Sequence, residues 1–286
     1  MKSEIYFEIV QKIESEEWDF DHVLEILIEC FPSVKSETLR SILNQEYQKR
    51  VKKTHKYQTS EQKRRELYNS YNSAVKSKDY KEGVVIKLAK KNRFSPAQTA
   101  KIILEEHLKR LNVSNVPISH LMKNTALIED PKLATEVWRA NLKDNNYGFS
   151  SECIKSAIGY DYENKVKKAL ENLGVSYQDE HELRLKGYDK TPDIKLDIPF
   201  AYNGHVINWI ESKALFGDED HHKNYLKEQL WSYWNRYGPG MVIYWFGFID
   251  ELDDNRDRGI IVSDHFPTDI QLCDPLKDTS SEEEDD

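Results

Sequence analysis

Only three cysteines, Cys30, Cys153 and Cys273, occur in 286 residues, and no Cys-x-x-Cys pair is present. A disulfide framework and a cysteine-based zinc site are therefore not expected. The expectation is two buried thiols and one near the tail. Long apolar runs are missing too: none reaches the roughly 18 residues of a membrane span. The opening stretch, MKSEIYFEIVQKIESEE, is acidic and lacks the apolar centre of a signal peptide. These absences point to the nucleus and cytoplasm, with no membrane partner. No internal repeat is visible.

Basic charge is in the minority, with 41 Lys and Arg against 50 Asp and Glu. The net charge of −9 does not exclude nucleic acid, because phosphates respond to local basic surface. That surface is concentrated in residues 49–65. Lys49, Arg50, Lys52, Lys53, Lys56, Lys63, Arg64 and Arg65 face a single acid there, Glu61. Lys49–Lys56 (KRVKKTHK) also resembles a nuclear-localisation patch, although a basic helix end has the same composition. After Leu276 the chain turns acidic, KDTSSEEEDD.

Hydrophobic residues at 38% and aromatics at 11% are too many for a disordered chain and enough to fill more than one core. Residues 1–147 read as helical. Apolar positions recur at Ile5, Ile9, Ile13, then Val23, Leu24, Leu27, Ile28, then Leu39, Ile42, Leu43, Tyr47. Phe31-Pro32-Ser33 breaks this pattern. Ser95 is placed to cap a helix, with Pro96 at its first position and Gln98 completing a capping box. Short helices with basic flanks suit an all-α, helix-turn-helix-like domain, and equally a plain bundle with a solvated basic face.

Asn145-Asn146-Tyr147-Gly148 marks the predicted boundary, giving domains over 1–147 and 148–270 and an acidic, disordered tail over 271–286. Ile154, Ala157, Ile158, Tyr162, Val166, Ala169, Leu170 and Leu173 form one helical stripe, stopped by Gly174. A short strand over Val175–Gln178 and a polar stretch follow. Two strands are predicted at Asp193–Ala201 and His205–Ala214, joined by the hairpin signal Asn203-Gly204. Then come a helix (His222–Arg236), a Gly238-Pro239-Gly240 stop, the buried strand MVIYWFGF and a short strand at Ile260–Val262. This order describes an α/β core.

The hairpin carries the chemistry. Pro192-Asp193 enters its first strand, and Glu211-Ser212-Lys213 closes its second. Glu211 and Lys213 share a strand face, together with Trp209 and Ile207. A charged pair ending an apolar strand is costly unless partnered, and a metal with a phosphate would partner it. A regular two-residue hairpin would set Glu211 opposite Leu196 and point Asp193 the other way. The carboxylates converge only if the hairpin is irregular. Pro199, which lacks an N–H, marks the expected bulge. The bland alternative has Asp193 capping a turn and Glu211–Lys213 as a surface ion pair. His221-His222 has no third ligand at a recognisable spacing and reads as a solvated helix start or phosphate contact. Arg236 reads as neutralising a helix C-terminus.

The order of elements resembles the PD-(D/E)xK nuclease superfamily. More narrowly, KGYDKTPD (186–193), WIESKALFGDE (209–219), QLWSYWNRYGPG (229–240) and IYWFGF (243–248) resemble the codanin-interacting nuclease family. So do NQEYQKRVKKTH (44–55) and FSPAQTAKIILE (94–105). The resemblance implies a restriction-endonuclease-like α/β core, a mixed sheet flanked by helices, and Mg²⁺- or Mn²⁺-dependent cleavage, of DNA by analogy. It implies Asp193, Glu211, the Ser212 carbonyl and Glu163 as metal ligands, and Lys213 as the catalytic lysine. Gln229 and Tyr233 correspond to a Gln-x-x-x-Tyr element bordering the site. The implied partners are codanin and nucleic acid gripped by the basic residues of 49–65. A catalytically idle codanin-binding platform is the alternative from another class, and a basic nucleic-acid-binding module with a purely structural second domain is a third.

Overall fold

A computed structural model describes residues 1–16, 19–113 and 116–273. The chain divides into two compact units: Phe7–Ala157, and Met1–Tyr6 together with the chain from Ile158 onward. The division falls inside one long helix rather than at Asn145–Gly148. The acidic SSEEEDD lies outside the described residues.

The first unit is helical: α1 (Ser3–Ser15), α2 (Phe20–Cys30), α3 (Ser36–Gln58), α4 (Glu61–Val75), α5 (Val84–Lys91), α6 (Pro96–Arg110), α7 (Ile118–Lys123) and α8 (Pro131–Lys143). Ile9, Ile13, Val23, Leu24, Leu27, Leu39, Ile42, Leu43 and Tyr47 are buried as their spacing requires, but Ile28 is exposed. Ser95 caps α6 by accepting from the Gln98 N–H at 3.0 Å. The capping box is only half made: among the described residues the Gln98 side chain does not accept from the Ser95 N–H, and the Ser95 hydroxyl donates to Asp144. Asp144 also accepts from Ala97, Asn146 and Tyr147 backbone N–H groups, so it ties the start of α6 to the loop after α8.

A second buried carboxylate organises α5. Glu136, fully buried on α8, accepts from the Gly83 N–H (2.8 Å), the Val85 N–H (3.0 Å) and the Tyr80 hydroxyl (3.1 Å). It supplies the negative charge and the acceptors that the first turn of α5 lacks.

The second unit is built on a mixed six-stranded sheet. Its elements are α9 (Ser151–Asn172), β1 (Tyr177–Asp179), α10 (Glu180–Leu185), β2 (Ile194–Tyr202), β3 (His205–Lys213), α11 (Glu219–Tyr225), α12 (Trp231–Tyr237), β4 (Gly240–Tyr244), β5 (Ile260–Ser263) and β6 (Ile270–Leu272). The order is β1-β2-β3-β4-β5, with β6 also pairing with β2. β1, β2 and β3 are antiparallel neighbours, whereas β3, β4 and β5 run parallel. One core cluster joins Val166 and Leu170 of α9 to Ile194, Ile207, Ile210, Met241, Ile243 and Ile261. The other joins Trp209, Val242, Tyr244, Ile260 and Val262 to Leu230 and Tyr233. Gly240 is required by close approach: an added Cβ would lie 2.2 Å from the Trp209 indole.

The structure corrects several expectations. All three cysteines are exposed free thiols. On α9 only Val166 and Leu170 are fully buried, while Ile154, Ile158 and Leu173 are exposed. A helix of 22 residues is about 33 Å long, whereas β4 and β5 have only five and four residues. The polar stretch after β1 contains α10, capped by a full box between Asp179 and Glu182. The strand at MVIYWFGF ends at Tyr244, leaving Trp245–Phe248 partly exposed. Ile207 and Trp209 fall in different clusters, and the residue between them, Asn208, is where the β2–β3 register breaks.

Replacing Glu136 by Ala would strand two buried N–H donors. The expected loss is about 2–4 kcal/mol in denaturant unfolding of the helical unit. A loss under about 1 kcal/mol would mean that Glu136 does not organise α5.

Candidate functional site

The site begins with a turn. Asn203 and Gly204 both adopt left-handed φ, 51° and 78°, as a two-residue type I′ hairpin needs. Next to the turn the pairing is regular: Tyr202 with His205, Ala201 with Val206, Phe200 with Ile207. Then the register breaks. The four residues Leu196–Pro199 face Asn208 alone, and pairing resumes with Lys195 opposite Trp209 and Ile194 opposite Ile210. Three extra residues on β2 are an odd number, so every side chain beyond them changes face. The irregularity expected near Pro199 is present, and Asp193 comes to lie across from Glu211. Asp197 pins the bulge by accepting from the Ser176 hydroxyl and the Gln178 amide, both at 2.5 Å.

The groups at the end of the hairpin form one connected cluster. Asp193 Oδ2 accepts from the Ser212 N–H at 2.7 Å. Glu211 Oε2 accepts from the Asp193 N–H at 3.3 Å, and Lys213 Nζ donates to Glu211 Oε1 at 2.6 Å. Glu211 is 3% exposed, and the Lys213 side chain 16%. This is a buried arrangement rather than a surface ion pair. Burial, then the charge of Glu211, pushes the Asp193 carboxyl well above the usual carboxylate range, against the pull of Lys213. Burial alone would lower the Lys213 pKa. Glu211 and Asp193 outweigh it and raise it, so Lys213 is held as an ammonium.

Of the other predicted residues, Glu163 and Tyr233 lie within electrostatic reach of this cluster. Glu163 on α9 is half-buried and makes no hydrogen bond among the described residues. Burial and Glu180 push its carboxyl up, Lys167 opposes them, and Glu211 and Lys213 also act on it, so it lies within electrostatic reach of the cluster. Tyr233 is buried edge-on to Trp209 at 5.4 Å. Burial, then Glu211 and Asp193, raise its hydroxyl pKa, which keeps it neutral. Gln229 carries a buried Oε1 with no hydrogen-bond partner among the described residues. It lies in a wide turn, Leu226–Leu230, between α11 and α12, of the π type that recurs at functional sites. The Ser212 hydroxyl accepts from Trp245 Nε1 at 2.9 Å.

The sequence reading missed Tyr225. Its ring centroid lies 4.6 Å from Lys213 Nζ, a cation–π contact that holds the ammonium in addition to its bond to Glu211. Its signal was the spacing: Tyr225, Gln229 and Tyr233 recur every four residues. His222 is not solvated. It is 2% exposed, bonded through Nδ1 to the Tyr244 hydroxyl at 2.9 Å, and burial lowers its pKa. His221 pairs with Asp218, the N-cap of α11. Arg236 stands in the last turn of α12 as expected, and it also reaches the Lys190 carbonyl (2.8 Å) and Asp189 (2.9 Å), fastening the loop ahead of Asp193.

The basic residues belong to the other unit, and internal pairing narrows their surface. Lys49 pairs with Glu46, Lys63 with Glu66, Arg64 with Glu105 and Arg65 with Glu61. Arg50 is half-buried. Lys52, Lys53 and Lys56 are exposed on α3 and have no ion-pair partner among the described residues.

Among the described residues no three His, Cys, Asp or Glu side chains converge as a metal-holding group. A hard cation at the hairpin would have two carboxylates, Asp193 and Glu211, with the Ser212 carbonyl and water as further oxygen ligands. The donor set fits such an ion, because two adjoining carboxylates served by one ammonium leave negative charge unbalanced.

That imbalance has a measurable sign. The Asp193 pKa is raised on folding, so its ionised form costs stability. The cost is absent below the unfolded value near 3.9 and complete above the raised folded value. In EDTA, Asp193→Asn should therefore melt higher than wild type at pH 7.5, by a few °C for each ~1 kcal/mol relieved, with the gap closing towards pH 4. Equal or lower melting of the variant at pH 7.5 would show that the carboxylates do not repel.

Comparison with known proteins matches the arrangement to a family. A family described as "Protein of unknown function TPD sequence-motif" matches residues 129–266, a span that contains Thr191-Pro192-Asp193. "CDAN1-interacting nuclease 1" of Mus musculus is 45% identical over 254 residues, 87% of this chain and 90% of the relative. The Homo sapiens protein of that name is 45% identical over 255 residues, with the same two coverages, and the Xenopus laevis protein is 45% identical over 244 residues, 84% of this chain and 80% of its own. No solved structure matches. The chain therefore belongs to the CDAN1-interacting nuclease 1 family.

Proposed function

We propose that this protein is a Mg²⁺- or Mn²⁺-dependent nuclease of the PD-(D/E)xK type, with a restriction-endonuclease-like core, that hydrolyses phosphodiester bonds in DNA. The observation that supports this reading most is the buried Asp193–Glu211–Lys213 cluster, assembled across an odd register shift that a purely structural hairpin would not need. A bound divalent ion would supply Lewis-acid neutralisation of charge on the scissile phosphate. Asp193, Glu211 and the Ser212 carbonyl would hold it. Lys213 has three N–H donors and gives one to Glu211. Its remaining donors are free to orient a water or bind a phosphate oxygen, and its ammonium state argues against a role as general base. Glu163 is suited to positioning water or substrate at the rim. Lys52, Lys53 and Lys56 would grip the phosphate backbone without reading bases, as a helix-turn-helix-like module does.

A second reading rests on the relatives' shared name. They are named for interacting with CDAN1, and we extend that partner, codanin, to this chain, with nucleus and cytoplasm as its compartments. In that reading the nuclease fold is chiefly a binding platform.

Cleavage of labelled single-stranded, duplex and branched DNA separates the two. The nuclease reading expects Mg²⁺- or Mn²⁺-dependent cutting that EDTA abolishes. Asp193→Ala and Lys213→Ala should each lower the rate by at least about 10²-fold. Trace activity of equal size in all three proteins, with and without codanin, would leave the platform reading in place. For binding, combined Lys52→Ala, Lys53→Ala and Lys56→Ala substitution should lower the salt slope of log K by about 2–3 on duplex DNA. An unchanged slope would move the grip elsewhere.

A further inference from the structure

At the end of β3, on the α9 side, stands a group of aromatic side chains to which no role is yet assigned. β4 ends at Tyr244, and Trp245 and Phe246 leave the sheet in a turn closed by the Gly247 N–H to the Tyr244 carbonyl at 2.9 Å. Trp245 is fastened to the site twice. Its backbone N–H donates to the Lys213 carbonyl at 3.1 Å, and its indole Nε1 donates to the Ser212 hydroxyl. Ser212 lies between Glu211 and Lys213 but on the opposite strand face, so the indole is held at the end of β3 on the α9 side. From the α9 side, Tyr162, the neighbour of Glu163, brings its ring to 5.1 Å from Trp245 and 5.4 Å from Phe246. All three rings remain partly exposed. The ammonium of Lys165, on an exposed side chain, lies 3.6 Å from the Tyr162 ring centroid.

Partly exposed aromatic rings with a cation over one of them, at the end of the strand that carries Glu211 and Lys213, match one ligand chemistry. Nucleobases stack on aromatic faces, while neighbouring cations take the phosphates. A paired base has its faces covered by its neighbours and must be unstacked first. We propose that Tyr162, Trp245 and Phe246 form a stacking platform for an unpaired nucleobase of the strand that enters the Asp193–Glu211 site. The substrate class is then single-stranded nucleic acid, or the unpaired segment of a branched one. This deepens the nuclease reading and rests on it for the position of the phosphate.

The test is binding in EDTA, so it does not depend on cleavage. Fluorescence anisotropy would compare an oligothymidylate of about twelve nucleotides with an abasic deoxyribose-phosphate strand of equal length. Wild type should bind the oligothymidylate at least about tenfold more tightly. Tyr162→Leu and Phe246→Leu should each bring that ratio towards one, leaving affinity for the abasic strand unchanged, with the fold of each variant checked by circular dichroism. Trp245 is left intact because it holds Ser212. Equal wild-type affinity for both strands would overturn the platform, as would Leu variants that weaken both strands by the same factor. The two readings fail separately: base-dependent binding without metal-dependent cleavage sinks the nuclease reading, and cleavage without base-dependent binding sinks this one.

Discussion

Three surplus residues on one side of a β-hairpin decide the chemistry of the second unit. With regular pairing from Asn203-Gly204, Asp193 and Glu211 would project to opposite faces of the sheet. The bulge at Leu196–Pro199 inverts the outer half of β2 and sets Asp193 across from Glu211. Pro199 has no N–H to give to a ladder, and Asp197 is tied to Ser176 and Gln178 in the neighbouring β1 segment. β1 pairs with β2 up to Leu196 and β6 from Phe200 onward, so the surplus lies in the gap between two partner strands. The sheet pairs normally on both sides of it.

Once the carboxylates are brought together, burial makes their charge expensive and useful. Glu211 lies on a strand covered on both faces, by α9 on one side and the α11–α12 run on the other. Low surrounding polarity strengthens the mutual repulsion of Asp193 and Glu211, and likewise their hold on Lys213. Lys213 is held by the Glu211 carboxylate and the Tyr225 ring. The Asp193 carboxylate takes the N–H of Ser212, which keeps the entering strand in line with β3. Each group is thus oriented by a neighbour already committed elsewhere, the condition for a preorganised site.

Much of this was legible in the sequence, and the parts that were not have physical reasons. Asn203-Gly204 announced the turn because few residue pairs accept two left-handed φ angles. Pro199 announced the bulge because a proline cannot serve a strand ladder. The serine cap at Ser95 and the helices of the first unit followed from local spacing. α10 was passed over in a polar stretch, although Asp179 and Glu182 spell a capping box, because the segment has no apolar period. The apolar stripe of α9 promised more burial than a short sheet can give. His222 resembled surface because a histidine pair beside acids reads as polar, and only the fold shows Tyr244 waiting for it. Tyr225 was invisible for a similar reason: its contact with Lys213 is made between elements and leaves no trace in local pattern beyond a spacing of four. The pairing of Arg64 with Glu105 was equally non-local, whereas Lys63–Glu66 and Arg65–Glu61 are pairs within one helix that a run read for its bases alone passes over, so the basic run looked broader than the surface it leaves free.

The central claim is that Asp193 and Glu211 form one divalent-cation site. Calorimetric titration of Mn²⁺ into wild type, Asp193→Ala and Glu211→Ala, with folding of each checked by circular dichroism, tests it directly. The account predicts saturable binding in wild type that weakens at least about 10-fold in both variants. Undiminished Mn²⁺ binding by the folded variants would contradict it, as would no binding by wild type.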